Sequence, residues 1–293
     1  MRTSLILIPL ALALTAATAR AADSDVQSEL LANVSALKSG GTGAEDSCLV
    51  ALKLTTHDGW HIYWNRNSGD AGIPTDVKWS VSPGWKIQPL EMPVPERFTS
   101  AGPITSYGYS GTVLLLARLS PDPAAKPTAA PTITADASWL CCQTECVPGS
   151  KKLDITLPLA DHSTPANTDE FTKAQSLIPA DKPPDGIQVT ARATAGDKKG
   201  DAKIHLDLTT APSTANAPAP PDVFPASEKV QVTDSILHVG KNDGTGDTFT
   251  FTVHMMPSQK DPAGVPFLIT YTDNGQRKGF FTPIDLTPAT QAK

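Results

Sequence analysis

The chain has 293 residues, with 24 Lys and Arg against 30 Asp and Glu, a formal net charge of −6, and 27 Pro and 20 Gly spread throughout. That length allows one large domain or two ordinary ones, each long enough to bury its own core. The acidic balance argues against nucleic acid as a partner, because such binding is driven by neutralising phosphates with Lys and Arg.

Met1-Arg2 opens the chain, an apolar run follows from Leu5 to Ala17, and small residues stand at Ala19-Arg20-Ala21. A short positive segment, an apolar segment and an A-x-A site predict a secretory signal peptide over residues 1–21, cleaved near Ala21 or Ala22. The apolar run is too short, and too rich in Ala and Thr, for a stable membrane span. No other stretch approaches ~20 apolar residues, so the mature protein is expected not to span a membrane. Cleavage would remove Arg2 and Arg20 but no acid, taking the net charge from −6 to −8. Export also lets disulfides persist.

From Val26 onward the chain is built of short alternating segments, such as Val50–Thr56, Asp76–Val81 and Thr248–Val253. An apolar residue at every second position puts one face on a core and the other in water, the pattern of a half-buried antiparallel strand. No long helical period competes. Many short strands with turn signals between them predict an all-β protein made of immunoglobulin-like antiparallel β-sandwiches. Two sandwiches fit the spacing. The first is expected over residues 22–160 and a polar, Pro-containing linker over 161–186. The second, over 187–293, holds segments such as Ile187–Arg192, Lys203–Leu208, Phe249–Met255, Val265–Tyr271 and Gly279–Phe281. Within it, the low-complexity stretch Ala211–Pro221 reads as a surface loop.

All four cysteines, Cys48, Cys141, Cys142 and Cys146, fall in the first unit. Thr132–Trp139 reads as a strand entering the cysteines and Lys152–Leu157 as the strand leaving them, with turn chemistry at Pro148-Gly149. Cys142 and Cys146 thus flank a strand-to-strand connection, where a bend can bring their Cα atoms within the roughly 4.4–6.8 Å a disulfide needs. Cys141 and Cys142, neighbours on an extended strand, are expected to face opposite sides. A bridge closing so few residues removes little chain entropy and is a weak staple. It is also a candidate reversible couple, since exposed or strained disulfides are the labile ones. Both the structural and the redox reading stay open here, as do all three full pairings of four cysteines.

Other residues carry less. Trp60, Trp64 and Trp79 fit packed sandwich positions. His61, following Trp60 on a strand, is expected to face solvent, and Asp70 between Gly69 and Gly72 reads as turn chemistry. His254-Met255-Met256 are soft donors, but they lie in the other unit from the cysteines. No C-x-x-C or H-x-x-x-H spacing supports zinc. No Ser-His-Asp pattern, phosphate loop or paired carboxylates are seen, and neither a metal nor a cofactor is expected.

Four motifs follow one another in order: Gly59-Trp-His-Ile-Tyr-Trp64; Gly69-Asp-Ala-Gly-Ile-Pro74; Tyr107-Gly-Tyr109; and Trp139-Leu-Cys-Cys-Gln-Thr-Glu-Cys-Val-Pro148. Over about residues 26–160 the chain therefore resembles the amino-terminal periplasmic domain of DsbD-type thiol:disulfide interchange proteins, in the branch related to ScsB. The resemblance implies a periplasmic domain whose cysteine pair, matched here by Cys142 and Cys146, takes electrons from a membrane-embedded transporter and passes them to thioredoxin-like or other oxidised periplasmic proteins. It also implies a loop that shields the cysteines, corresponding to Arg97–Tyr109, with Phe98, Tyr107 or Tyr109 as the shielding aromatic.

Three features depart from the family pattern. Asn65–Ser68 lengthens the turn after Trp64. Cys48 and Cys141 are extra, and are expected either to bond each other as a structural staple or to let Cys141 compete for Cys146. The chain ends at Lys293 without a membrane or thioredoxin-like domain, so the electron donor is expected to be a separate protein. Glu145 lies between the thiols and no Lys or Arg comes nearer than Lys151, so local sequence offers no cationic activation of an ordinary thiol. The rival readings are a binding module with purely structural disulfides and a copper-binding protein using Cys141, Cys142 and Cys146.

Overall fold

A computed structural model describes residues 26–41, 46–99, 104–125, 127–209, 221–233, 236–240, 246–259 and 261–288. The expected signal peptide and most of Ala211–Pro221 lie outside these residues. In chain order the elements are β1 (Val26–Ala32), β2 (Val34–Lys38), β3 (Cys48–Thr56), β4 (His61–Tyr63), β5 (Asp76–Val81), β6 (Trp85–Pro89), β7 (Glu96–Thr99) and β8 (Thr105–Ser110). Next come β9 (Thr112–Pro121), β10 (Thr132–Cys142), β11 (Cys146–Thr156), β12 (Leu159–Ala160), β13 (Thr164–Pro165) and the single helix among them, α1 (Thr168–Ser176). The remainder are β14 (Gln188–Ala195), β15 (Asp201–Thr209), β16 (Asp222–Pro225), β17 (Val230–Val232), β18 (Leu237–Gly240), β19 (Gly246–Met255), β20 (Val265–Asp273) and β21 (Gln276–Ile284).

The fold is all-β, as the alternating pattern predicts. The amino-terminal half forms one sheet in the order β1-β3-β9-β6 and another in the order β11-β10-β4-β8-β7, with β5 also paired to β10. The inward side chains of both sheets meet in two clusters, one around Leu52, Leu54, Ile62, Trp64 and Trp139, the other around Val50, Trp85, Leu119 and Ile133. In the carboxy-terminal half, β14-β15-β19-β17, with β18 on β19, packs with β16-β20-β21 around Ile204, Leu206, Phe249, Phe251, Phe267 and Phe280. β11 shows the one-face alternation through all of its residues, with exposed and half-buried positions in strict succession.

β3 and β9 depart from that alternation. Cys48–Leu52 and Val113–Ala117 are buried without interruption. A continuous apolar run means burial on both faces, and here the second cover is α1. Phe171 and Ala174, one helical turn apart, pack on Leu49, Ala51, Leu114 and Leu116, on the side of the sheet away from the sandwich core. The stretch read as a polar linker thus contains a docked helix. Its chain continues to the second pair of sheets through Val94 N–H donating to Leu177 O (2.8 Å) and Ala180 N–H donating to Gly279 O (2.9 Å).

The two pairs of sheets are in close contact. Phe224, Ala226 and Leu268 join the core cluster that holds Trp64 and Tyr107. Asn67 Nδ2 donates to Ser227 O (2.9 Å) and Val230 O (3.1 Å). The Arg66 guanidinium lies 4.9 Å from the ring centre of Phe281. Asn67 belongs to the turn after Trp64, which thereby reaches the second pair of sheets. No helix among the described residues is long and apolar enough to cross a membrane.

Candidate functional site

β10 and β11 form a hairpin in register from Thr132↔Thr156 to Cys142↔Cys146, so the two cysteines are the last pair before the turn. The turn is closed by Gln143 N–H donating to Glu145 O (3.0 Å). Across it Cys142 and Cys146 are joined by a disulfide spanning four positions. Side chains paired directly across an antiparallel ladder share a face, so register alone brings these sulfurs together. Trp139 lies opposite Gly149 three pairs back, and its indole occupies the space a side chain at 149 would need.

The sulfurs differ sharply in exposure. Cys146 is exposed, whereas Cys142 is 3% exposed. Cys142 pairs on its other side with His61 of β4. His61 is 7% exposed rather than solvent-facing, because its strand lies inside the sheet between β10 and β8. Its ring stacks on Phe98 (centroids 4.4 Å, planes 12° apart) and meets Tyr63 edge-on (5.1 Å). Ser106 Oγ lies 3.4 Å from His61 Nε2, and Ser106 is also the partner of Phe98 in the β7–β8 pair. Cys142, His61, Tyr63, Ser106 and Phe98 therefore share one face of the sheet. Gly72 lets the loop before β5 pass against Tyr63, since a Cβ there would fall 2.1 Å from Tyr63 Cε1.

Burial pushes the His61 pKa below its ordinary value, which favours the neutral imidazole beside Cys142. Burial also raises the Tyr63 hydroxyl, with a smaller contribution from Cys141. Arg97, next to Phe98, points to the opposite face and pairs with Asp222, so it does not activate the sulfurs. Ser110, opposite His61, donates to Glu96 Oε2 (2.9 Å).

Of the three aromatics expected to shield the couple, Phe98 lies on the same face as Cys142, stacked on His61. Tyr107 and Tyr109 are odd-numbered on β8 and turn inward. Tyr107 packs edge-on against Phe224 (5.2 Å), and the Tyr109 hydroxyl donates to Pro93 O (2.7 Å). The expected Cys48–Cys141 staple is also absent: both are buried thiols. Cys48 starts β3 and packs with Val50, Leu119 and Ile133, whereas Cys141 faces the cluster of Trp64 and Trp139, opposite Ile62. Strand alternation sends the two thiols into different clusters, so no bond can join them in this fold. Burial pushes the Cys48 thiol up to about 12. Cys141 and Cys142 do face opposite sides, yet both are buried, Cys141 in the core and Cys142 on the face it shares with His61.

Sequence reasoning missed His61 and Tyr63 as members of this face. Their i, i+2 spacing in His-Ile-Tyr was the available signal, but which strand would lie beside them was not. Among the described residues no group of three His, Cys, Asp or Glu is arranged to hold a metal ion. In the carboxy-terminal half, His254 Nδ1 lies 2.7 Å from Asp201 Oδ1 instead.

Residues 27–158 match the family model described as "Thiol:disulfide interchange protein DsbD, N-terminal". Among solved structures, the crystal structure of the N-terminal periplasmic domain of ScsB from Proteus mirabilis is similar in fold. Its TM-score is 0.60 at 18% identity, over 89% of this chain and 94% of that one. No curated protein matches the sequence.

Proposed function

From the premise that residues 27–158 are a DsbD amino-terminal-type domain, we propose that Cys142 and Cys146 are a reversible thiol–disulfide couple. It would relay electrons in the periplasm from a membrane-embedded thiol transporter to oxidised thioredoxin-like or other proteins. We take residues 1–21 as the export signal, 22–160 as the redox domain, 161–186 as the connection and 187–293 as the second sandwich. The observation that carries the reading is the asymmetry of the disulfide: an exposed Cys146 bonded to a buried Cys142 whose ladder partner on the other side is His61. A structural staple has no need of one open sulfur.

The asymmetry supports one order of events. The Cys146 thiolate attacks one sulfur of a partner disulfide, that S–S bond breaks, and the partner's other sulfur leaves as a thiolate that is protonated. Cys142 then attacks Cys146 in the mixed disulfide, closing the Cys142–Cys146 bond and releasing the second partner thiol. Two electrons and two protons pass to the partner. Recharging runs the same steps in reverse, with the donor dithiol attacking Cys146 and Cys142 leaving. A neutral His61 beside Cys142 supplies no cation to stabilise that sulfur as a thiolate.

The test is a glutathione or dithiothreitol redox titration of the mature protein, with thiols mass-tagged and mapped by peptide mass spectrometry. The couple is expected to titrate as one two-electron unit at a potential exchangeable with thioredoxin-like proteins, above the roughly −300 mV typical of structural bridges. Resistance to reduction until the fold is lost would replace this reading with the binding module.

A further inference from the structure

Three large apolar side chains among the described residues stand in solvent: Ile73 (60% exposed), Ile104 (44%) and Leu237 (61%). A single exposed apolar residue needs no explanation, and Leu237 lies opposite Thr250 in the second sandwich. Ile73 and Ile104 instead border the face that carries the disulfide. On that face Pro148, exposed, is the next residue of β11 after Cys146, and its ladder partner is the half-buried Leu140. Tyr63 follows His61 on the same face of β4, as Leu140 precedes Cys142 on β10. The loop before β5 lies against the Tyr63 ring at Gly72, and Ile73 is the next residue along it. That loop is tied to the start of β8, beside Ile104, by Asp70 N–H donating to Thr105 O (2.7 Å) and Thr105 N–H donating to Asp70 Oδ2 (2.8 Å). An apolar strip thus leads from Cys146 through Pro148, Leu140 and Ile73 to Ile104.

The strip has an acidic border. Glu145 is exposed in the turn beside Cys146, Asp70 in the loop that carries Ile73, and Glu96 at the start of β7. Asp70 accepts from the Thr105 amide and Glu96 from the Ser110 hydroxyl. Among the described residues no ion pair joins any of the three to Lys or Arg. Arg97, next to Glu96, is turned to the other face and held by Asp222. Carboxylates without a cation favour positive charge on an incoming surface and steer its approach.

Exchange brings a partner onto this surface. The mixed disulfide joins the Cys146 sulfur to a partner sulfur at a bond length of about 2.05 Å, so what surrounds the partner's cysteine comes to lie on what surrounds Cys146. We propose that the strip from Pro148 to Ile104 is the docking surface for the protein that exchanges with Cys146, and that this protein presents its disulfide in an apolar surface bordered by Lys or Arg. This rests on the exchange reading above and deepens it by naming the chemistry of the partner. Covering the two isoleucines supplies affinity, and the carboxylates make the encounter faster at low salt.

The experiment uses the full chain, reduced, and follows the second-order rates at which it reduces glutathione disulfide and three disulfide-closed C-x-x-C peptides of equal length. One peptide flanks its cysteines with Leu and Lys, one with Ser and Lys, and one with Leu and Glu. Each peptide rate is divided by that of the same peptide with dithiothreitol, which removes differences in intrinsic reactivity. On this scale the Leu/Lys peptide is expected to react about tenfold faster than either of the others. The double variant I73S/I104S is expected to lose about tenfold with the Leu/Lys peptide and to stay within about twofold of wild type with the Ser/Lys peptide and with glutathione disulfide. Raising NaCl from about 0.05 to about 0.5 M is expected to slow the Leu/Lys peptide severalfold. A loss in I73S/I104S that is equally large with glutathione disulfide is damage to the fold near the couple, and overturns the docking surface. Should the variant fail to fold, the peptide series on wild type decides alone: equal scaled rates for all three peptides overturn the proposal. A wild type that reduces glutathione disulfide without preferring the Leu/Lys peptide sinks this proposal and leaves the exchange reading standing, whereas a chain that reduces neither glutathione disulfide nor any peptide sinks both.

Discussion

Replacing Gly149 by Ala should destabilise the hairpin that carries the disulfide, although Ala is ordinarily the better residue in a strand. Gly149 does not have a left-handed backbone conformation, so its lack of a side chain is required by space alone. A Cβ built there lies 2.4 Å from Trp139 Nε1, 2.7 Å from Cε2 and 3.1 Å from Cζ2. All three are atoms of a rigid ring, and Trp139 is 7% exposed within the core cluster, so the indole cannot simply rotate into solvent. Overpacking of this kind costs ~1–3 kcal/mol. Against it, Ala narrows the unfolded ensemble and contributes ~0.4–1 kcal/mol of stability. The net expectation is a loss of about 1–2 kcal/mol, read as a lower urea midpoint at unchanged slope. In a Trp139→Phe background the indole nitrogen is gone, and Gly149→Ala should then cost less than it does in the wild type. If Gly149→Ala proves as stable as wild type or more so, the packing of Trp139 over Gly149 is wrong, and with it the account of how the hairpin is held.

Phe171→Ala removes the main side chain by which α1 covers β3 and β9. The expected loss approaches the ~3–5 kcal/mol of a buried Phe, limited by what undocking the helix would cost, and denaturant unfolding reads it directly. Acid should destabilise the fold through His61. Its folded pKa is depressed, so the unfolded chain takes up a proton below about pH 6.5 that the native state resists, and stability should fall as pH drops from about 7 to 5. His61→Gln should flatten that part of the thermal-midpoint profile, and an unchanged slope would count against the burial of the ring. Cys48 should resist iodoacetamide at pH 8 in the native protein and react once the chain is unfolded, since burial holds its thiol at about 12. Rapid native labelling of Cys48 would contradict its place in the core.

What could be read from the chain alone was whatever depends on local pattern. β5 runs Asp76–Val81, as its alternation predicts, and the alternating segment Thr248–Val253 lies within β19, because period-two hydrophobicity survives any choice of neighbour. The two strand-like runs Thr132–Trp139 and Lys152–Leu157 were enough to mark a hairpin, and the spacing of Cys142 and Cys146 put a bond within reach at its tip, but the turn lies between those cysteines and the expected turn residues Pro148 and Gly149 are paired within β11. The ordered motifs from Gly59 to Pro148 also identified the DsbD-like region.

Tertiary structure alone decided everything that depends on which strands become neighbours. His61 reads as a surface residue until β4 is inserted between β10 and β8. Tyr107 and Tyr109 read as candidate caps until the phase of β8 turns them inward, leaving Phe98 on the face of Cys142 and His61. Cys48 and Cys141 could have been a staple, but β3 and β10 belong to different sheets and send their thiols into separate clusters. The helix α1 was hidden because two inward residues in nine give almost no period, and its partner surface is the far side of a sheet whose strands β9 and β3 lie well upstream, starting at Thr112 and Cys48. The clamp of Arg97 by Asp222 joins residues 125 positions apart. Local sequence fixes which face a residue takes relative to its neighbours in the strand; only the closing of the sheets, which is non-local, decides what that face meets.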